Sequence, residues 1–91
     1  MSIGFHEGKD AANRVKHGLS LGEAINGDWA AAFIALDDRR DYGELRWYGY
    51  LPIAGRIHVV VYTEREDTTW IISLRRANPR EVKKYDELRS A

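Results

Sequence analysis

The chain has 91 residues, with 14 Lys plus Arg against 14 Asp plus Glu, 44% hydrophobic and 11% aromatic residues, and no cysteine. That describes one small globular domain with a single core, and it excludes disulfides and thiolate metal sites by count alone. A pI near 6.8 argues against broad, sequence-independent binding to nucleic acid, which rests on a wide excess of Lys and Arg. The longest wholly apolar run, Trp29 to Leu36, is too short to span a membrane, and the first residues lack the pattern of a secretion signal, so a cytoplasmic location is expected.

In chain order, Ser2 to His6 reads as an edge strand, and Lys9 to His17 as a helix with Ala12, Val15 and, beside them, Ala11 turned inward. Gly18 closes it, and Lys16 and His17 stand where a helix dipole favours positive charge. Ser20 with Glu23 matches a capping box for a short second helix that ends at Asn26-Gly27. Ala30 to Leu36 is apolar throughout and reads as a buried strand, bounded by the charged turn Asp37 to Asp41. Leu45 to Ala54 and Arg56 to Thr63 read as central strands, Glu64 to Asp67 as a hairpin turn, and Thr68 to Leu74 as the next strand. Asn78, Pro79 and Glu81 then cap a terminal helix whose narrow face holds Val82, Tyr85 and Leu88 or Arg89. The sum is an α+β fold with an N-terminal strand and two helices, a mainly antiparallel sheet of three to four strands, and a C-terminal helix.

Charge is unevenly distributed. Residues 56 to 91 carry eight basic and six acidic groups, and Arg75 to Arg89 six basic and three acidic. There is no glycine-rich phosphate loop, no GxSxG elbow and no HExxH. His6, His17 and His58 are too scattered to suggest a metal site, and Asp37, Asp38 and Asp41 enclose Arg39 and Arg40 in a self-neutralising loop, so neither a metal nor another cofactor is expected. Ile71 to Ala77 stands out, because Arg75 and Arg76 leave a strand end directly into a capped helix that carries Arg80, Glu81, Lys84 and Tyr85. Arginines there suit a phosphate, or they pair with Glu81 or Asp86; the sequence leaves both readings open.

Phe5 to Ala24, with Lys9, Asn13, Lys16-His17-Gly18, Ser20 and Glu23-Ala24, resembles the start of BrnT-type toxins, RelE-like proteins of bacterial type II toxin-antitoxin pairs. The resemblance continues through Glu44, Arg46, Gly49, Gly55-Arg56, Val60 to Arg65, Ile71 to Ser73, Arg75 to Ala77, Arg80-Glu81 and Tyr85, so nearly the whole chain is covered as one RelE-like domain, residues 1 to 91. It implies a metal-independent endoribonuclease that inhibits translation, held inactive in a hetero-oligomer by a ribbon-helix-helix, BrnA-like antitoxin, with RNA as substrate and no membrane partner. Metal-free cleavage by the 2′-hydroxyl needs a proton acceptor, a charge on the phosphate and a proton donor. On that basis Arg75 and Arg76 are expected to clamp the phosphate, with Lys16 or His17 as acid or base and Tyr85 positioning or stacking. Arg46, Arg56, Arg65, Arg80 and Lys84 are expected to support RNA binding, with Arg56 near Arg76 and Arg65 at the distant hairpin turn. The competing reading is a relative that binds antitoxin or RNA without cleaving it.

Overall fold

In the computed structural model, which describes residues 1–91, the elements are β1 (Ser2–Gly4), α1 (Glu7–His17), two 3-10 turns (Leu21–Asn26 and Trp29–Ala31), β2 (Phe33–Leu36), β3 (Trp47–Ile53), β4 (Arg56–Arg65), β5 (Thr68–Arg76) and α2 (Pro79–Ser90). They build one five-stranded sheet in the order β1-β5-β4-β3-β2. β1 runs parallel to β5, and the other neighbours are antiparallel. The sheet therefore has more strands than the expected three to four, and its β1 edge makes it mixed. No helix is long and apolar enough to cross a membrane.

Strand alternation, reset on β5 by a shift of register opposite Val61 and Tyr62, assigns the two faces. Leu51 and Ile53 of β3, Val60 and Tyr62 of β4, and Ile71 and Leu74 of β5 point to one side, where Leu21 and Ala24 of the first 3-10 turn complete the core. A fully buried Leu or Val side chain contributes about 1.5–3 kcal/mol, so this side holds most of the hydrophobic stabilisation. Trp29 closes it with an edge-to-face contact on Tyr62, the ring centroids 5.4 Å apart.

The hairpins follow from local chemistry. Ala54 and Gly55 both take positive φ, 51° and 77°, the conformation of a two-residue turn whose twist suits the strands it joins. The β4–β5 turn is reduced to Glu66 and Asp67, since Arg65 already pairs with Thr68, and the strands extend further than the polar Glu64 suggests. At Gly49 β2 comes so close to β3 that a Cβ would overlap the Phe33 carbonyl oxygen and meet Ile34 Cδ1 at 2.7 Å.

Three sequence expectations are corrected. Ala30 to Leu36 is no buried strand: Trp29–Ala31 turns, and β2 is an edge strand with Ala35 and Leu36 exposed. The Ser20–Glu23 box does not form, because Ser20 Oγ accepts from Gly22 N and donates to Asp10, and the turn is 3-10 rather than α.

The third correction concerns α1, where Ala11, Ala12 and Val15 are exposed and Asp10 and Asn13 are buried instead. The cause is the sheet edge that α1 covers. β1 pairs with β5 only at Thr68 to Trp70, so beyond it the backbone of β5 needs partners. Asn13 supplies them: its Nδ2 donates to the Leu74 carbonyl at 2.8 Å, and its Oδ1 accepts from Leu74 N at 3.2 Å. Asp10 accepts from Leu21 N at 2.7 Å and pairs with Arg14 at 3.1 Å. Gly18 closes the helix as expected, its N–H donating to the Arg14 carbonyl.

Candidate nucleic-acid interface

The sheet face opposite the core carries Tyr48 and Tyr50 of β3, Val59 and Val61 of β4, and Ser73 and Arg75 of β5. α2 covers one end of this face. The Tyr85 ring lies edge-to-face on Phe33 and Tyr50, with centroids 5.5 and 6.5 Å away, and its hydroxyl donates to the Ala31 carbonyl at 2.8 Å. Between α2 and the β2–β3 loop the face stays open as a groove of about 630 Å³, lined also by Phe33, Ala35, Arg39, Glu81, Lys84 and Leu88. Beside it Lys9, Asn13, Lys16 and His17 of α1 enclose a recess of about 220 Å³ with Ile72 and Ser73. Ser73 lines both spaces, so the C-terminal turn of α1 and the groove share one surface.

Arg75 enters the groove from β5. Both nitrogens of its fork are taken by Glu81, NH1 to Oε1 at 2.8 Å and NH2 to Oε2 at 2.9 Å, which is one of the pairings the sequence leaves open. The pair holds the Glu81 carboxyl below its ordinary pKa and raises that of Arg75. His17 also loses proton affinity, chiefly through burial and then through the charges of Lys16 and Arg75.

Other arginines on this side are similarly engaged. Arg39 binds Asp37 through Nε and NH2, both at 2.8 Å, and this holds the Asp37 carboxyl at about 2. Its guanidinium also lies 5.8 Å from the Tyr48 ring. Arg65 pairs with Glu44 at 2.9 Å and lies 5.6 Å from the Trp70 ring. Arg46 stacks on Tyr42 at 4.1 Å, its Nε buried without a hydrogen-bond partner.

The expected site residues therefore divide. Arg75 and Lys84 line the groove, whereas Lys16 and His17 line the neighbouring recess, which meets the groove at Ser73. Tyr85 is 3% exposed and packs α2 onto the sheet. Arg80 is exposed on the first turn of α2. The joint clamp of Arg75 with Arg76 does not assemble, because consecutive strand residues point to opposite faces, and Arg76 instead shares a cleft with Arg56. Arg65 lies at the β4–β5 turn, opposite Thr68, while Arg75 pairs with Val59, so the two are separated along the strand as the hairpin register implies. Tyr48, Tyr50 and Ser73 lie outside the sequence-based set. The signal for the two tyrosines is their alternation with buried Leu51 and Ile53. Ser73 had no comparable signal, since the shift of register between Val61 and Tyr62 breaks the alternation on β5.

A comparison with individual curated proteins gives no match. The family described as "Ribonuclease toxin, BrnT, of type II toxin-antitoxin system" matches residues 5–81. That span contains α1, the four antiparallel strands and the residues that shape the groove up to Glu81. The chain belongs to the BrnT family of ribonuclease toxins from type II toxin-antitoxin systems.

Proposed function

We propose that the groove binds and cleaves RNA, that the protein thereby inhibits translation in the cytoplasm, and that its fold is a RelE-like variant neutralised in a hetero-oligomer by a ribbon-helix-helix antitoxin. The observation that supports the reading is that the recess holding Lys16 and His17 adjoins, through Ser73, the open groove that holds Arg75. In this chemistry the 2′-oxygen attacks the neighbouring phosphorus, its proton passes to a base, the P–O5′ bond breaks, and O5′ takes a proton from an acid. The products are a 2′,3′-cyclic phosphate and a 5′-hydroxyl. His17, whose proton affinity is lowered chiefly by burial, is the base. Lys16 supplies the proton to O5′, and Arg75 stabilises the charge that develops on the phosphate. No step is assigned to a cofactor or metal.

Tyr48 and Tyr50 offer rings to unstacked bases, and Lys84 gives the strand a further cationic contact at the groove wall. Arg46, Arg65 and Arg80 contribute at the periphery. A second reading is favoured by the Arg75–Glu81 pair, since an arginine already held by a carboxylate is less available to a phosphate: the face then binds RNA or antitoxin without cleavage.

Induced expression followed by cleavage of a defined RNA separates the two. Growth arrest with 2′,3′-cyclic phosphate ends, both lost in His17→Ala and Arg75→Ala variants that still fold, supports the ribonuclease. Unaffected growth and intact RNA, with a co-purifying antitoxin, supports the binding module.

A further inference from the structure

Arg56 and Arg76 line one cleft at the β3–β4 turn end of the sheet. His58 pairs with Arg76 in the β4–β5 register, and Arg56 stands two residues before His58 on the same face. That diagonal relation separates the two Cα atoms by about 7–8 Å, close enough for both guanidinium groups to reach one ligand. They line a cleft of about 280 Å³ at the sheet end, whose other walls are Gly55, Ile57, Ala77 and Val82 of α2. Both arginines are exposed.

Their charge is uncompensated. Arg14, Arg39, Arg65 and Arg75 each have a carboxylate partner, whereas Arg56 and Arg76 have none. Behind them His58 is 5% exposed, with Nδ1 placed 3.0 Å from the Arg56 carbonyl. Burial lowers the proton affinity of His58, and the charges of Arg76 and Arg56 lower it further, while the Arg56 carbonyl and Glu23 act in the opposite direction. Two exposed cations around an open cleft, with a buried imidazole behind them, favour an anion between them.

We propose that Arg56 and Arg76 form an anion subsite for a backbone phosphate of RNA, in a cleft at the β3–β4 turn end of the sheet that shares no lining residue with the groove. The assignment to RNA rests on the ribonuclease reading; the capacity to hold a phosphate does not. Paired guanidinium forks match phosphate oxygens, and nothing in the cleft is arranged to read a base, so the contact is independent of sequence. An RNA long enough to pass over the β3–β4 end of the sheet engages the subsite as well as the groove, and a short oligonucleotide engages the groove alone. A phosphate in the cleft offsets both arginine charges and makes His58 easier to protonate, so His58 reports occupancy.

The test uses inorganic phosphate followed by 2′-O-methyl oligonucleotides of increasing length, which lack the nucleophile. The proteins are the full chain, the variants Arg56→Gln/Arg76→Gln and Arg75→Gln, and His58→Asn to assign the imidazole resonance. Phosphate is expected to shift that resonance and raise its pKa in the wild type and not in the double variant. The double variant should bind long oligonucleotides about tenfold or more weakly, with a salt slope shallower by about 0.7, and short ones normally. If it fails to fold, Arg76→Gln alone is read in the same titrations.

A His58 resonance indifferent to phosphate, with unchanged affinity for long oligonucleotides, overturns the subsite. If phosphate titrates His58 but the double variant binds every oligonucleotide normally and loses its antitoxin, the cleft serves acidic side chains of the antitoxin and the RNA assignment is overturned. If Arg75→Gln binds short oligonucleotides as the wild type does while phosphate still titrates His58, the groove reading fails and the anion subsite stands.

Discussion

Glu81 performs two tasks with one carboxylate, because Oε1 accepts from both Arg75 NH1 and the Asn78 backbone N–H while Oε2 accepts from Arg75 NH2. Asn78 returns the bond to Glu81 N, completing the cap of α2. The cap needs only an oxygen at this position, and glutamine supplies one. The hold on Arg75 needs the negative charge. Glu81→Gln is therefore expected to keep α2 capped, cost about 1 kcal/mol or less, and tighten the binding of an uncleavable RNA by freeing the Arg75 fork. Fluorescence anisotropy beside a denaturant melt checks both. Weaker RNA binding at unchanged stability would show that Glu81 positions Arg75 instead of occupying it.

Asn13 stands in for a strand at the edge of β5 that β1 leaves unpaired. Its amide bonds the Leu74 N–H and carbonyl, and also the Leu19 carbonyl at 2.9 Å. Asn13→Ala leaves these backbone groups in a buried position without partners, at an expected cost of about 2–4 kcal/mol. Asn13→Asp, which retains the acceptor and loses both donated bonds, should also destabilise. Urea unfolding midpoints measure the two, and a loss under 0.5 kcal/mol for alanine, on the order of a neutral surface substitution, would show that water replaces the amide.

Tyr85→Phe removes the bond to the Ala31 carbonyl and keeps the ring contacts with Phe33 and Tyr50. Stability is expected to fall by about 1 kcal/mol with the rate of RNA cleavage retained per folded molecule. A large fall in the rate at unchanged RNA affinity would move the hydroxyl into the chemistry.

Acidification should destabilise the fold in two separate windows. His17 and His58 have folded pKa values below 6.5, mainly through burial, so the unfolded chain takes up protons first. Their contribution is complete above pH 6.5, falls as pH drops from there through the folded values, and changes no further below them. Asp37, held at about 2 by Arg39 against an ordinary 3.8, loses its contribution between those two values. Unfolding midpoints followed against pH should show the upper window flatten in His58→Asn, and stability that rises on acidification from pH 7 to pH 5 would contradict the assignment.

Gly49→Ala tests whether the groove depends on the close approach of β2. The new methyl group collides with the Phe33 carbonyl and with Ile34, so β2 must separate from β3, costing about 1–3 kcal/mol. Phe33 and Ala35 would leave the groove wall, and hydrogen exchange at the β2 amides that bond β3 should accelerate.

The sequence determined those features whose cause is local. Asn78-Pro79 and Glu81 specify the start of α2, Gly18 the end of α1, and the β-branched runs of β4 and β5 their hairpin, because capping bonds and strand propensity act over a few residues. The ordered motifs from Phe5 to Tyr85 also led to the family. Tertiary structure alone decided which residues face which partner. α1 buries Asp10 and Asn13 instead of Val15 because it lies against unpaired backbone and not against an apolar surface, and no periodicity in α1 reveals that neighbour. Arg75 and Arg76, adjacent in the chain, serve opposite faces because a strand alternates its side chains. The recess of Lys16 and His17 adjoins the groove of Arg75 only because α1 packs beside β5, a relation set by contacts between residues about sixty apart in sequence, such as Asn13 with Leu74.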